Sequence, residues 1–124
     1  MRLSPLAAAA ALSLAFASPV AAQPAQLVVS LYSFGFAPNP IQLAAGRPVT
    51  MVFANRSGSA HDFTAPGFFQ HAQILAGGPV GRGVQLRPHE TRSITLIPAR
   101  GTYQAHCSHF LHAQMGMTDT IVVD

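Results

Sequence analysis

Thr102-Tyr103-Gln104-Ala105-His106-Cys107-Ser108-His109-Phe110-Leu111-His112-Ala113-Gln114-Met115-Gly116-Met117-Thr118-Asp119-Thr120-Ile121-Val122-Val123 reads as a strand, a loop dense in metal donors, and a second strand. Successive strand side chains point to opposite faces, so Tyr103, Ala105 and Cys107 share one face while Gln104 and His106 take the other. His106 therefore points away from the only cysteine of the chain. The loop can fold back and bring a later imidazole and a thioether to the same sulfur before Thr118 resumes extended structure.

Working outward, β-branched and aromatic runs recur between turn residues: Leu27 to Tyr32, Val49 to Asn55, Val84 to Leu86 and Arg92 to Ile97 join the two just quoted. Pro38-Asn39-Pro40, Ala45-Gly46, Ser57-Gly58, Gly77-Gly78-Pro79, Arg87-Pro88 and Arg100-Gly101 punctuate them. The pattern predicts an all-β sandwich. Ile94 and Leu96 alternate with polar neighbours, as on a half-buried sheet, whereas Val49 to Ala54 is apolar on both faces, as near the centre of a sandwich. One short helix is expected within 66–76, where Gly67 to Leu75 allows one or two turns before the glycines end it.

Met1-Arg2, the apolar run Leu6 to Phe16 and the small residues around Val20 and Ala22 read as a signal peptide, residues 1–22. Cleavage near Ala22 would release 23–124 as one domain, periplasmic or secreted. The apolar run is shorter than the roughly 20 residues a membrane-spanning helix needs. The chain has no lysine, and its formal charge of +3 includes Arg2. The remaining arginines are scattered singly without interleaved aromatic rings, which points away from nucleic acid and leaves room for a mildly positive face.

One cysteine cannot form a disulfide within its own chain, so Cys107 is a buried thiol, an intermolecular bridge or a ligand. Outside the cytoplasm a free thiolate risks oxidation unless burial or a metal protects it. A soft thiolate with imidazoles and a thioether nearby is the donor set of a copper ion that cycles between Cu(I) and Cu(II).

The chain resembles the cupredoxins, or blue copper proteins, whose last loop carries Cys, then His, then Met before the final strand. The resemblance extends to Phe36-Ala37-Pro38-Asn39-Pro40-Ile41, to Ala45-Gly46-Arg47-Pro48-Val49, to Asn55-Arg56-Ser57-Gly58-Ser59-Ala60-His61-Asp62-Phe63 and to Gly101-Thr102-Tyr103. It implies a small Greek-key sandwich, plastocyanin- or azurin-like, with one copper. A plastocyanin-like loop would put histidine at Phe110, and an azurin-like loop would put methionine at Gly116. The spacing of type 1 sites in multicopper oxidases fits His112 and Met117 together. The ligand set the resemblance implies is His61, Cys107, His112 and Met117, with Met115 the rival axial thioether and His109 a rival imidazole. Asp62 and Ser108 stand where the family clamps its two ligand segments together.

What this implies is a monomeric carrier of single electrons between protein redox partners that dock near His112, amid Phe110, Leu111, Ala113 and Met115 with Pro66, Phe68 and Phe69 as neighbours. A filled ligand set leaves no position for a substrate, and the His-x-His pairs of an oxygen-reducing cluster are missing from the sequence, so no enzyme is expected. The competing expectation is a copper carrier or storage protein that exchanges metal with donor and acceptor proteins, using His106, His109 and Met115 as further donors.

Overall fold

The computed structural model describes residues 1–16, 23–78, 81–109 and 111–124. The expected cleavage region ending at Ala22, the Pro79 of one expected turn and Phe110 lie outside the described residues. Residues 1–16 are exposed and form no regular secondary structure. Among the described residues no helix is long and apolar enough to cross a membrane.

The strands are β1 (Ala25–Tyr32), β2 (Gly35–Ala37), β3 (Ile41–Leu43), β4 (Val49–Asn55), β5 (His61–Thr64), β6 (Gln73–Ala76), β7 (Gly83–Leu86), β8 (Thr91–Ile97), β9 (Gly101–His106) and β10 (Thr118–Val123). One sheet runs β2-β1-β4-β8-β6 and the other β3-β10-β9-β5-β7. Parallel pairing of β1 with β4 and of β10 with β3, among otherwise antiparallel neighbours, makes this a sandwich with crossing connections rather than a meander.

Burial follows the alternation in sequence. On β4, Val49, Met51 and Phe53 point into the core, and on β8 Ile94 and Leu96 do the same with no exposed surface on the latter pair. β4 sits at the middle of its sheet, which explains its two apolar faces. The second sheet contributes Phe63, Val84, Leu86, Ala105, Ile121 and Val123. Aromatic rings fill the gap between the sheets: Phe63 meets Phe36 edge-on at 5.3 Å and Phe53 at 5.0 Å.

The 66–76 segment holds the one short helix expected there, followed by a strand that was not expected. α1 (Pro66–His71) opens with proline in its first turn and ends at Ala72, whose φ of −80° and ψ of 150° are extended. Gln73–Ala76 then becomes the edge strand β6, with Ile74 opposite Leu96. Phe68 and Phe69 explain the division, because both are buried from α1 and anchor it over β9 and Phe63.

Four strands of the sandwich escape the sequence pattern. β2 and β3 are three residues each and flank Pro38-Asn39-Pro40, too short for a period to show. β5 is buried on both faces although it carries histidine, aspartate and threonine. β6 is largely exposed.

Asp119 is an anomaly within β10. It is 2% exposed, its Oδ1 accepts the Thr120 amide at 2.7 Å, and its Oδ2 has no hydrogen-bond partner among the described residues. Burial pushes its carboxyl up to about 6, against a smaller opposing effect of the Thr120 amide. The folded state therefore holds this proton more tightly than the unfolded chain, and stability falls as pH rises from about 4 through about 6. Asp119→Asn is expected to remove that component and to be more stable than the parent above pH 7 by about 1–2 kcal/mol, with no gain near pH 4. Denaturant unfolding across this range measures it; parallel curves for parent and variant would contradict the assignment.

Candidate metal centre

Two chain segments meet at the end of the second sheet. β5 and β9 pair through Thr64 and His106. Beyond that pair, His61 and Asp62 on one side face Cys107 and Ser108 on the other. The gap between them is closed by side chains.

Asp62 does most of the closing. Its Oδ1 accepts the Ser108 amide at 2.9 Å and the Thr64 hydroxyl at 2.7 Å, and its Oδ2 accepts the Ser108 hydroxyl, as the sequence led us to expect. Burial pushes this carboxyl up, but the hydrogen bonds from Ser108 and Thr64 outweigh it and hold the group below its ordinary range. The Asp62 amide in turn points at the Cys107 sulfur, 3.5 Å away. The same residue thus fixes the loop by its side chain and contacts the sulfur by its backbone.

The loop after Cys107 is tied at its base, where the Cys107 amide donates to the Met117 carbonyl at 3.1 Å. Inside it the His112 amide donates to His109, and the Met117 amide donates back to His112 at 3.0 Å. Gly116 takes a φ of 95°, a region where a side chain is strained, which accounts for glycine just before Met117. Asn55 organises the other loop: its side-chain amide donates to the carbonyls of Ser59 and Arg87 while its oxygen accepts from Ser57. That arrangement fixes the approach to His61.

These supports bring three donor atoms together. His61 Nδ1 lies 3.2 Å from His112 Nδ1, and Cys107 Sγ lies 3.8 Å and 3.4 Å from the two nitrogens. A point equidistant from atoms so separated is about 2 Å from each, the length of an imidazole–metal bond and slightly under that of a thiolate–metal bond. Met117 is fully buried, and its backbone bonds to both Cys107 and His112 hold it beside them. Met115, the rival thioether, is 58% exposed.

Protonation favours the same use. Burial, and then the neighbouring His112 and His109, hold His61 below its ordinary range, so the ring is neutral near pH 7. Its Nε2 is 3.0 Å from Ser33 Oγ; a proton on Nε2 donated to that hydroxyl leaves the Nδ1 lone pair facing the sulfur. Burial pushes the Cys107 thiol up, although the amides of Asp62 and His109 pull against it. A thiolate there gains from a cation beside it. The donor set fits a single copper ion.

The remaining donors are placed differently. His109 is half-buried, stacks on His112 with ring centroids 5.4 Å apart, and sets Nε2 3.5 Å from Asp62 Oδ2. Asp62, Cys107 and His109 make a second cluster of potential ligands, but the Asp62 oxygens already accept three hydrogen bonds. His106 points to the outer face of the sheet and lines a depression with Arg82 and Ser108.

Phe34 stands edge-on to His112 at 5.1 Å, where Phe68 and Phe69 were expected. Ser33 and Phe34 carry no donor pattern in the sequence, and the turn they occupy is distant from the other site residues along the chain. A polar and an aromatic residue in the turn between two strands was the only available sign. Leu111 and Met115 are exposed around the half-buried His112.

No curated protein sequence matches the chain. Among solved structures it is similar to auracyanin B, with 25% identity and a TM-score of 0.60 over 85% of this chain and 93% of that one. Auracyanin A, a "blue" copper protein from Chloroflexus aurantiacus, aligns at 20% identity and a TM-score of 0.59, over 82% of this chain and all of that one. The multicopper oxidase McoA of Aquifex aeolicus aligns at 19% identity and a TM-score of 0.63, over 86% of this chain but only 31% of the enzyme, so that likeness is one of fold. The sequence profile of the cupredoxin-like domain matches residues 5–123, nearly the whole chain, and the chain belongs to that family.

Proposed function

We propose that this chain is an exported electron carrier: a signal peptide, residues 1–22, is removed near Ala22, and the domain 23–124 holds one copper ion through His61, Cys107, His112 and Met117. The observation that carries this reading is the triangle of His61 Nδ1, His112 Nδ1 and Cys107 Sγ, with edges of 3.2, 3.8 and 3.4 Å, beside a fully buried Met117. The likeness to auracyanin A, a "blue" copper protein, over 82% of this chain and all of that one, supports the same cofactor. Copper bound there would supply a one-electron couple between Cu(I) and Cu(II).

The residues suit that couple because they are held from several sides. Ser33 orients His61, while Phe34 and His109 flank the His112 ring. The Asp62 amide contacts the sulfur, a position from which hydrogen bonding tunes a reduction potential. Such bracing keeps the donors from rearranging when the charge at their centre changes. His112, half-buried among exposed Leu111 and Met115, is the donor through which electrons would pass to a docked protein. We read the chain as having no enzymatic activity, since the four donors fill the site.

A second reading, delivery of the copper ion itself, has the cluster of Asp62, Cys107 and His109 behind it. Copper(II) added to the purified protein separates the two. An electron carrier shows an intense sulfur-to-copper visible band, a reversible one-electron couple and slow loss of metal to a chelator. Rapid transfer to the chelator without such a band would favour delivery.

Cys107→Ser is expected to abolish the band, and His109→Ala and Met115→Ala to retain it. Met117→Ala is expected to keep the band and change both its position and the potential. Retention of an unchanged band in His112→Ala would overturn the ligand set.

Asp62→Ala is expected to lower stability by about 2–4 kcal/mol, because three donors lose a buried acceptor. Since the folded carboxyl is held low, its contribution is complete above the unfolded value near 4 and is lost as pH falls through the lower folded value. Denaturant midpoints at pH 7 and pH 3 measure both; equal losses at the two pH values would contradict the clamp.

A further inference from the structure

The formal charge conceals how charge is distributed in the fold. Of the four acids, Asp62 is 0% and Asp119 2% exposed, which leaves Glu90 and Asp124 to face solvent. Arg47 and Arg100 lie at the end where β10 finishes, close to Asp124, through the contacts of Gly46 with Pro98 and of Ala45 with Asp124. β10 separates that end from Met117 by about 20 Å. Arg56, Arg82, Arg87 and Arg92 lie in the half that contains the donors, where the half-buried Glu90 is the one acid that reaches the surface. Arg87 follows Leu86, which pairs with His61, and Arg82 precedes Gly83, which pairs with Thr64. Among the described residues none of these arginines forms an ion pair.

Three of them collect along the edge strand β7. Gln85 at its middle separates two depressions: one of about 320 Å³ lined by Arg87, Arg92 and Glu90, the other of about 430 Å³ lined by Arg82, His106 and Ser108. Arg92 crosses from the other sheet to donate to the Gln85 carbonyl at 3.3 Å, so the strand edge is partly capped and the surface is one of side chains. His106, in the second depression, is the residue bonded to Cys107.

We propose that this flank is the docking surface for an acidic partner protein, one that presents clustered carboxylates to Arg82, Arg87 and Arg92. The inference rests on the electron-carrier reading for what the partner exchanges, but the binding itself does not require copper. The field of the donor end steers such a partner, and the two depressions accept carboxylate side chains. His106 then brings the partner within one residue of the sulfur. A protein surface fits better than nucleic acid, because among the described residues no Phe, Tyr or Trp lines either depression for a base to stack on and Glu90 stands among the arginines. It fits better than a membrane because the flank is concave and its apolar Leu86 is buried.

The test is amide-shift mapping of isotope-labelled protein titrated with a ten-residue glutamate peptide at low salt, run with and without added copper. Shifts are expected at 82–87, at Arg92 and at His106 in both forms, and to disappear in about 0.5 M salt. Arg82→Glu with Arg87→Glu should weaken binding by at least about fivefold, and Arg47→Glu with Arg100→Glu by less than about twofold. Equal weakening by the two pairs would overturn the proposal, as would tighter binding to a single-stranded oligonucleotide or to phosphatidylserine vesicles than to the peptide. Peptide binding without a visible copper band would leave the surface standing and count against the carrier reading instead.

Discussion

The centre depends on a carboxylate where a sheet would otherwise come apart. β5 and β9 are neighbours through Thr64 and His106, and beside that pair a sulfur and two imidazoles come together. A buried acid is normally a cost. Here Asp62 receives the Ser108 amide, the Ser108 hydroxyl and the Thr64 hydroxyl, so its desolvation is more than offset and it joins segments 46 residues apart. That join fixes the segment that carries Cys107 and His112 against the strand that carries His61.

The packing behind the centre serves the same end. Phe36, Phe53, Phe63 and Phe69 interlock between the sheets, and Phe63 lies on β5 next to Asp62. Side chains in such a core occupy single rotamers, so β5 cannot slide without disturbing four rings. Rigidity thus passes from an apolar cluster to polar donors through adjacent residues of one strand, whose alternation turns Phe63 and Asp62 to opposite faces.

Much of this was legible in the chain. Val49 to Asn55 and Thr118 to Val123 appear as strands with the bounds expected, because each is a run of six or seven residues rich in β-branched and apolar side chains. Cys107, His112 and Met117 could be chosen among rival donors through the spacing of a resembled loop, and burial separates Met117 from Met115 in the same way. What could not be read depends on contacts without a period. β2, β3 and β5 are too short or too polar; Ser33 and Phe34 reach the site only because β1 and β2 turn there. Asp119 looks like a surface residue between threonines until its register with Ala105 turns it inward.

The bond from the Cys107 amide to the Met117 carbonyl has an evolutionary meaning. It closes the segment between them as a handle closes on a cup, so the sheet below meets the same two anchor points whatever is strung between them. Residues between Ser108 and Gly116, His112 apart, can then be exchanged without altering the register of β9 and β10. A fold built this way separates what must be inherited intact from what is free to diversify, and chains with little sequence in common can keep one scaffold while each sets its own reactivity.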